Sequence, residues 1–291
     1  MKFRILSAAA ISMVWAYGAA DAQTFTIIDV PVANACQQAS KINPRGDIVG
    51  VSAEVLGVKG HGYLFRDSAF TFFDFPGAPF TQINGINPTG DMVGQYVATD
   101  GKTRGFFLSG GQFTTIDVAG SSFTRAAGIN PAGEIVGRYQ TLDGGAHGYV
   151  LSRGVLVPHD FPGAVKTNAV GINPQGEVVG YYQNPDGNVH GYFLSKGTFT
   201  SIDFPGALMM GPFTSHADIN AKGEIVGTYI GTDSKTRGFL LTRTGLMTID
   251  APNSSLTGAC GINPEGDIVG IFVDAGFVPG QGHCRGFLIR R

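Results

Sequence analysis

The sequence predicts an all-β fold: a six-bladed β-propeller of four-stranded blades. Three observations predict it. The motif Ile-Asn-Pro-x-Gly-[Asp/Glu]-[Ile/Val/Met]-Val-Gly occurs six times, with its Asn at Asn43, Asn87, Asn130, Asn173, Asn220 and Asn263; in the fifth copy Ala221 replaces the Pro. The copies follow one another at 43 to 47 residues, the length of a propeller blade. Between them run short β-branched and aromatic segments punctuated by turns, and 44 Gly with only 14% charged residues suit many short strands rather than helices.

The first 22 residues stand outside the repeat. Lys2 and Arg4 precede an apolar run through Ile5, Leu6, Ile11, Val14 and Trp15, and Ala20-Asp21-Ala22 offers a small-x-small cleavage site. This is the pattern of a secretory signal peptide, the run being too short for a membrane anchor. The chain is therefore expected to divide into a signal peptide, 1–22, and a propeller, 23–291, exported to the periplasm or the exterior without membrane insertion. A net charge of −2 with no basic cluster argues against nucleic acid as a partner.

Each blade reads as four strands. In the fourth repeat, 167–172 form a small-residue inner strand and Asn173-Pro174-Gln175-Gly176 turns the chain into the second strand, 177–182. A turn at 184–187 leads to the third strand, 190–194, and Lys196-Gly197 closes a tight hairpin onto the outer strand, 198–203. A triplet marks the third strand of every blade: His61-Gly62-Tyr63, Arg104-Gly105-Phe106, His147-Gly148-Tyr149, His190-Gly191-Tyr192, Arg237-Gly238-Phe239 and Arg285-Gly286-Phe287. These triplets resemble those of the extracellular HAF-repeat family, over about residues 24–291. Gly stands here in place of the family's Ala throughout, and Arg in place of His in three blades. The resemblance implies an exported repeat protein and brings no established activity.

An Asp follows each of the first five triplets at a fixed distance, giving His61 with Asp74, Arg104 with Asp117, His147 with Asp160, His190 with Asp203 and Arg237 with Asp250. In a hairpin centred on the tight turn these residues face each other across the strands. They are read as cross-strand pairs that fix register, because Arg cannot replace His as a proton shuttle. The sixth triplet has no downstream Asp. Residues 24–29 supply the missing outer strand, so Asp29 is expected opposite Arg285. The N-terminal strand is then expected to close the ring by pairing with the C-terminal strand.

The acids after each turn, Asp47, Asp91, Glu134, Glu177, Glu224 and Asp267, lie around a wide ring, too far apart to share one cation. They are read as solvated strand starts, and no metal or cofactor is expected. Cys36 and Cys284 fall at the same end of adjacent blades and are expected to form a disulfide. Cys260, in the middle of an inner strand, is expected to remain a buried thiol.

Departures from the repeat mark the candidate site. Extra residues enter blade five around Leu208-Met209-Met210-Gly211 and blade six around 274–279. Lys41 and Asp218 replace the Gly of other inner strands, His216 replaces a small or apolar residue, Glu54 lies in the second connection of blade one and His283 precedes Cys284. A ligand pocket at the top of blades five, six and one is therefore expected from Lys41, Glu54, Met209, Met210, His216, Asp218, Asp274, Phe277 and His283. Nucleophile-elbow, phosphate-loop and metal-ligand motifs are missing. The expected role is a soluble, monomeric binding or scaffold protein of the cell envelope or exterior, with a glycan or protein ligand. The competing class is a secreted hydrolase or lyase acting on an extracellular polymer or lactone through that pocket.

Overall fold

The protein is described by a computed structural model covering residues 24–32, 35–211, 216–275 and 284–291, together with the two-residue strands Ile5–Leu6 and Val14–Trp15. The described residues form an all-β six-bladed propeller. Blade one runs Cys36–Ile42, Ile48–Val55, Lys59–Arg66 and Ala69–Phe73 from the axis outward. The inner strands that follow are Phe80–Ile86, Ser121–Ile129, Lys166–Ile172, Asp218–Ile219 and Ser254–Ile262. The third strand of one blade touches the inner strand of the next at single bridges, Gly60 with Phe80 and Thr103 with Phe123.

The repeat motif makes one turn and one tie between blades. Asn130 Oδ1 accepts the amides of Ala132 and Glu134, each at 3.0 Å, which shapes the turn. Its Nδ2 donates to Glu134 Oε2 at 2.7 Å and to the Asn173 carbonyl of the next blade at 3.3 Å. Asn43, Asn173 and Asn220 make the same reach to the following blade. The acids after the turns are therefore partners of their own Asn rather than free solvated groups. Asp47 is the extreme case, only 3% exposed and clasped by Arg45 and Arg66. Burial works to raise its pKa, but hydrogen bonds from Arg66, Asn43 and Arg45 hold it at about 2.

The Val-Gly ending of the motif and the aromatic of the triplet explain each other. A Cβ on Gly94 would lie 2.6 Å from the Phe106 ring, and one on Gly137 2.7 Å from the Tyr149 hydroxyl. The ring of the third strand thus lies flat over the glycine of the second, and Tyr63, Phe106, Tyr149, Tyr192 and Phe287 are all fully buried there.

The chain ends meet in blade six. Its outer strand is Phe25–Ile28, antiparallel to Cys284–Ile289, with Gly286 opposite Ile28 and Ile289 opposite Phe25. Ile28, Val269 and Leu288 of this blade share a buried cluster with Ala39, Ile42 and Ile48 of blade one. Cys36 and Cys284 are joined as a disulfide with 4.7 Å between their Cα atoms, and Cys260 is a buried free thiol.

The cross-strand residues sit in hairpin register. His61, His147 and His190 each place Nδ1 2.8 Å from Asp74, Asp160 and Asp203. Arg104 and Arg237 bind Asp117 and Asp250 and also a second acid, Asp100 and Asp233, in the preceding turn. Blade six departs from the expectation. Arg285 turns to Asp274 at 3.0 Å, the acid ending the second strand, rather than to Asp29, which is exposed. Arg285 has a carboxylate on either side, and it takes the one on the side where Arg104 finds Asp100.

Candidate functional site

The inner strands bring Lys41, His216 and Asp218 together, but inside the axial channel rather than on the top surface. Lys41 Nζ lies 2.7 Å from Asp218 Oδ1 and donates to the Ala217 carbonyl at 2.8 Å. Asp218 Oδ2 accepts the Ile262 amide at 3.1 Å, so both its oxygens are engaged. His216 Nε2 faces Gln38 Nε2 at 2.9 Å and Arg125 Nη2 at 3.2 Å. Both neighbours are donors, so Nε2 is the acceptor and the ring is neutral with its proton on Nδ1.

Electrostatics agree with that reading. Burial pushes the His216 pKa well below its ordinary value, and the charges of Arg125 and Lys41 push it further. Burial lowers Lys41 as well, with Asp218 opposing, and lowers Arg125 to about 10. Burial raises the nearby Cys260 thiol to about 12. A hydrolytic dyad needs a base hydrogen-bonded to an acid or nucleophile. Here His216 meets a cation and an amide, while Asp218 is neutralised by Lys41. The lower mouth of the channel is a cavity of about 80 Å³ walled by the Ile and Pro residues of the turns, with Lys41 and Asp218 at its floor.

The other expected residues separate. Glu54 pairs with Lys59 at 2.8 Å on an exposed hairpin. Met209 is half-buried at the end of Ala207–Met209, the upper piece of a broken inner strand. Met210 is only 2% exposed, and its Sδ accepts the Phe204 amide at 3.1 Å. Thr81, Thr167 and Thr257 receive the equivalent amide in their blades. Met210 is therefore a core residue in the threonine position, and the extra residues of blade five follow it rather than surround it. Phe277 and His283 lie outside the described residues.

Asp274 belongs to a second cavity, of about 400 Å³, in blade six. Phe25, Ala251, Pro252 and Phe272 form its apolar walls, and the Asp274–Arg285 ion pair stands at its rim. The ion pair is partly solvent-exposed, so its polar atoms remain open to a ligand. Of these residues the sequence marks Asp274 as a break in the repeat, while Arg285 keeps the repeat's cross-strand position. Arg125, which breaks the small-residue run of its inner strand, was the overlooked signal for the axial cluster. Among the described residues no group of three His, Cys, Asp or Glu side chains is placed to hold a metal ion, and no helix is long and apolar enough to cross a membrane.

No protein-family model and no curated protein matches the sequence. Solved propellers match the structure. A TolB-like protein from Agrobacterium tumefaciens aligns with TM-score 0.60 and 15% identity, over 91% of this chain and 93% of that one. AofleA from Arthrobotrys oligospora aligns with TM-score 0.56 and 13% identity, over 89% and 83%. The Aleuria aurantia lectin, described as a six-bladed β-propeller with a novel mode of fucose recognition, aligns with TM-score 0.54 and 16% identity, over 88% and 96%. At these identities the likeness is one of fold.

Proposed function

We propose that the protein is an exported, soluble, monomeric propeller that binds carbohydrate in the periplasm or outside the cell. The observation that carries this reading is the blade-six cavity, a concave site with aromatic walls and a paired acid and base at its rim. Such a site holds a sugar-sized ligand, whereas a protein partner would call for a broad surface. The Aleuria aurantia lectin, which shares the fold, binds a fucoside, and this favours carbohydrate over other ligands. Export is supported by the leader-like residues 1–22, by a disulfide of the kind that persists in oxidising compartments, and by the resemblance of the triplets to those of extracellular HAF-repeat proteins.

A hydrolase or lyase is the less favoured reading, because His216 and Asp218 are spent on cationic and amide partners in the channel. The test is a glycan array probed with purified residues 23–291, with and without divalent metals. Binding to a defined set of glycans without metal is expected. No binding, with depolymerisation of a polysaccharide or opening of a lactone instead, would refute the reading.

A further inference from the structure

Blade six lacks one ring that three sister blades carry. In blade two, Phe75 from the incoming connection stacks on Tyr96 with centroids 3.6 Å apart and planes 3° from parallel, and it packs edge-on against Phe113. Blade four repeats this with Phe161 on Tyr182 at 3.6 Å and 2°. Blade five repeats it with Phe204 on Tyr229 at 3.7 Å and 6°. The same repeat positions in blade six are Ala251, Phe272 and Phe25. Phe25 and Phe287 still pack at 5.1 Å, and Phe272 and Phe287 at 6.5 Å, so the rest of the aromatic cup is built. Among the described residues only the Ala251 methyl group stands at the place of the missing phenyl; Phe272 is 6% exposed, and the cavity of about 400 Å³ is lined by both. Blades one and three also lack the phenyl: the same positions hold Val30 with Ser52 in blade one and Val118 with Tyr139 in blade three, valines where blade six has the smaller Ala251.

We propose that this seat takes one uncharged pyranose of the ligand, its apolar face lying on Phe272 where the sister blades hold a phenyl ring; this rests on the carbohydrate-binding reading above. A flat apolar face of ring size, parallel to an aromatic floor, is what the sister seats accommodate. The rim supplies the rest of the recognition. Arg285 donates and Asp274 accepts, a pairing that suits vicinal hydroxyls. Because each already neutralises the other, a carboxylate-bearing sugar gains little from Arg285 and is repelled by Asp274.

The test is Ala251→Phe, which restores the side chain found in blades two, four and five. Binding of the best array glycan is measured by titration calorimetry, with melting temperature recorded alongside. Ala251→Phe is expected to weaken binding by more than about tenfold while keeping or raising the melting temperature, and Ala251→Leu, a smaller filling, should weaken it less. Asp274→Asn is expected to weaken binding without emptying or filling the seat. Should Ala251→Phe fail to fold, the leucine variant and Asp274→Asn decide. If the filled variants bind as tightly as the parent, the seat is not the site, though carbohydrate binding itself stands. If only glycans bearing uronate or sialate bind, the uncharged-sugar assignment is overturned. If the parent binds no glycan, the broader reading falls and this one with it.

Discussion

Lys41 of blade one reaches past the inner strand of blade six to Asp218 of blade five, with Nζ and Oδ1 2.7 Å apart. The glycine between them permits the reach, since a Cβ on Gly261 would lie 2.8 Å from the Lys41 Cα. Three blades are thereby tied at the axis by two residues that replace the usual glycines. Removing one partner strands a buried charge. Lys41→Met or Asp218→Asn is expected to lower unfolding free energy by about 3–5 kcal/mol, and the double apolar replacement Lys41→Met with Asp218→Leu to recover most of it. Denaturant unfolding of the three variants checks this. A double variant as unstable as the singles would show that the ion pair itself, and not relief of an unpaired charge, holds the axis.

His216 gives stability a pH dependence. Its folded pKa is depressed far below the ordinary value of 6.5, so near that pH the unfolded chain takes up a proton the folded chain refuses. The contribution is complete above about pH 6.5 and is lost as pH falls below it, by about 1.4 kcal/mol per unit. Asp47, held at about 2, adds loss only below the ordinary carboxylate range near 3.8. Urea unfolding between about pH 7 and pH 5 should therefore show a falling stability that His216→Gln flattens. An unchanged slope in the variant would mean that another group carries it.

The disulfide closes a span of 248 residues beside the blade-six seam. Reduction, or Cys36→Ser, is expected to cost about 2–5 kcal/mol. Non-reducing peptide mapping should recover Cys36 linked to Cys284. Cys260 should resist thiol reagents until the protein unfolds, because burial at a pKa of about 12 leaves almost no thiolate. Labelling of Cys260 in the folded protein would contradict that.

Asp117 accepts from both Lys102 and Arg104, at 2.9 and 3.0 Å, near the surface. Asp117→Ala is expected to lower stability by no more than about 1 kcal/mol, because Arg104 keeps Asp100 and exposed pairs contribute little. Carbohydrate binding should be untouched. A loss of binding at constant melting temperature would give that residue a functional role instead.

The blades and their hairpin register were legible because they depend on local rules: turn glycines, two-residue alternation and a fixed spacing from His or Arg to Asp. The pairing of residues 24–29 with the last strand followed from the same spacing. What escaped was decided by tertiary choice. Arg285 had two carboxylates within reach, and sequence spacing pointed only to Asp29. Met210 reads in sequence as part of an insertion lining a pocket, whereas its sulfur accepts an amide that a threonine accepts in other blades. Lys41, His216 and Asp218 stood out together as breaks in the repeat, yet their enclosure depends on the width of the channel, which no single strand encodes. The blade-six cavity did leave a trace in Ala251, which stands where Phe75, Phe161 and Phe204 stand in other blades.

Ligand binding at blade six and a structural role for the axial cluster are the two halves of the proposal. The most direct measurement is a crystal structure of the protein soaked with its best array glycan. A sugar in contact with Phe272, Asp274 and Arg285, with Lys41 and Asp218 still paired, is the predicted result. A sugar seated in the axial channel against Lys41, Asp218 or His216, with the blade-six cavity empty, would contradict it.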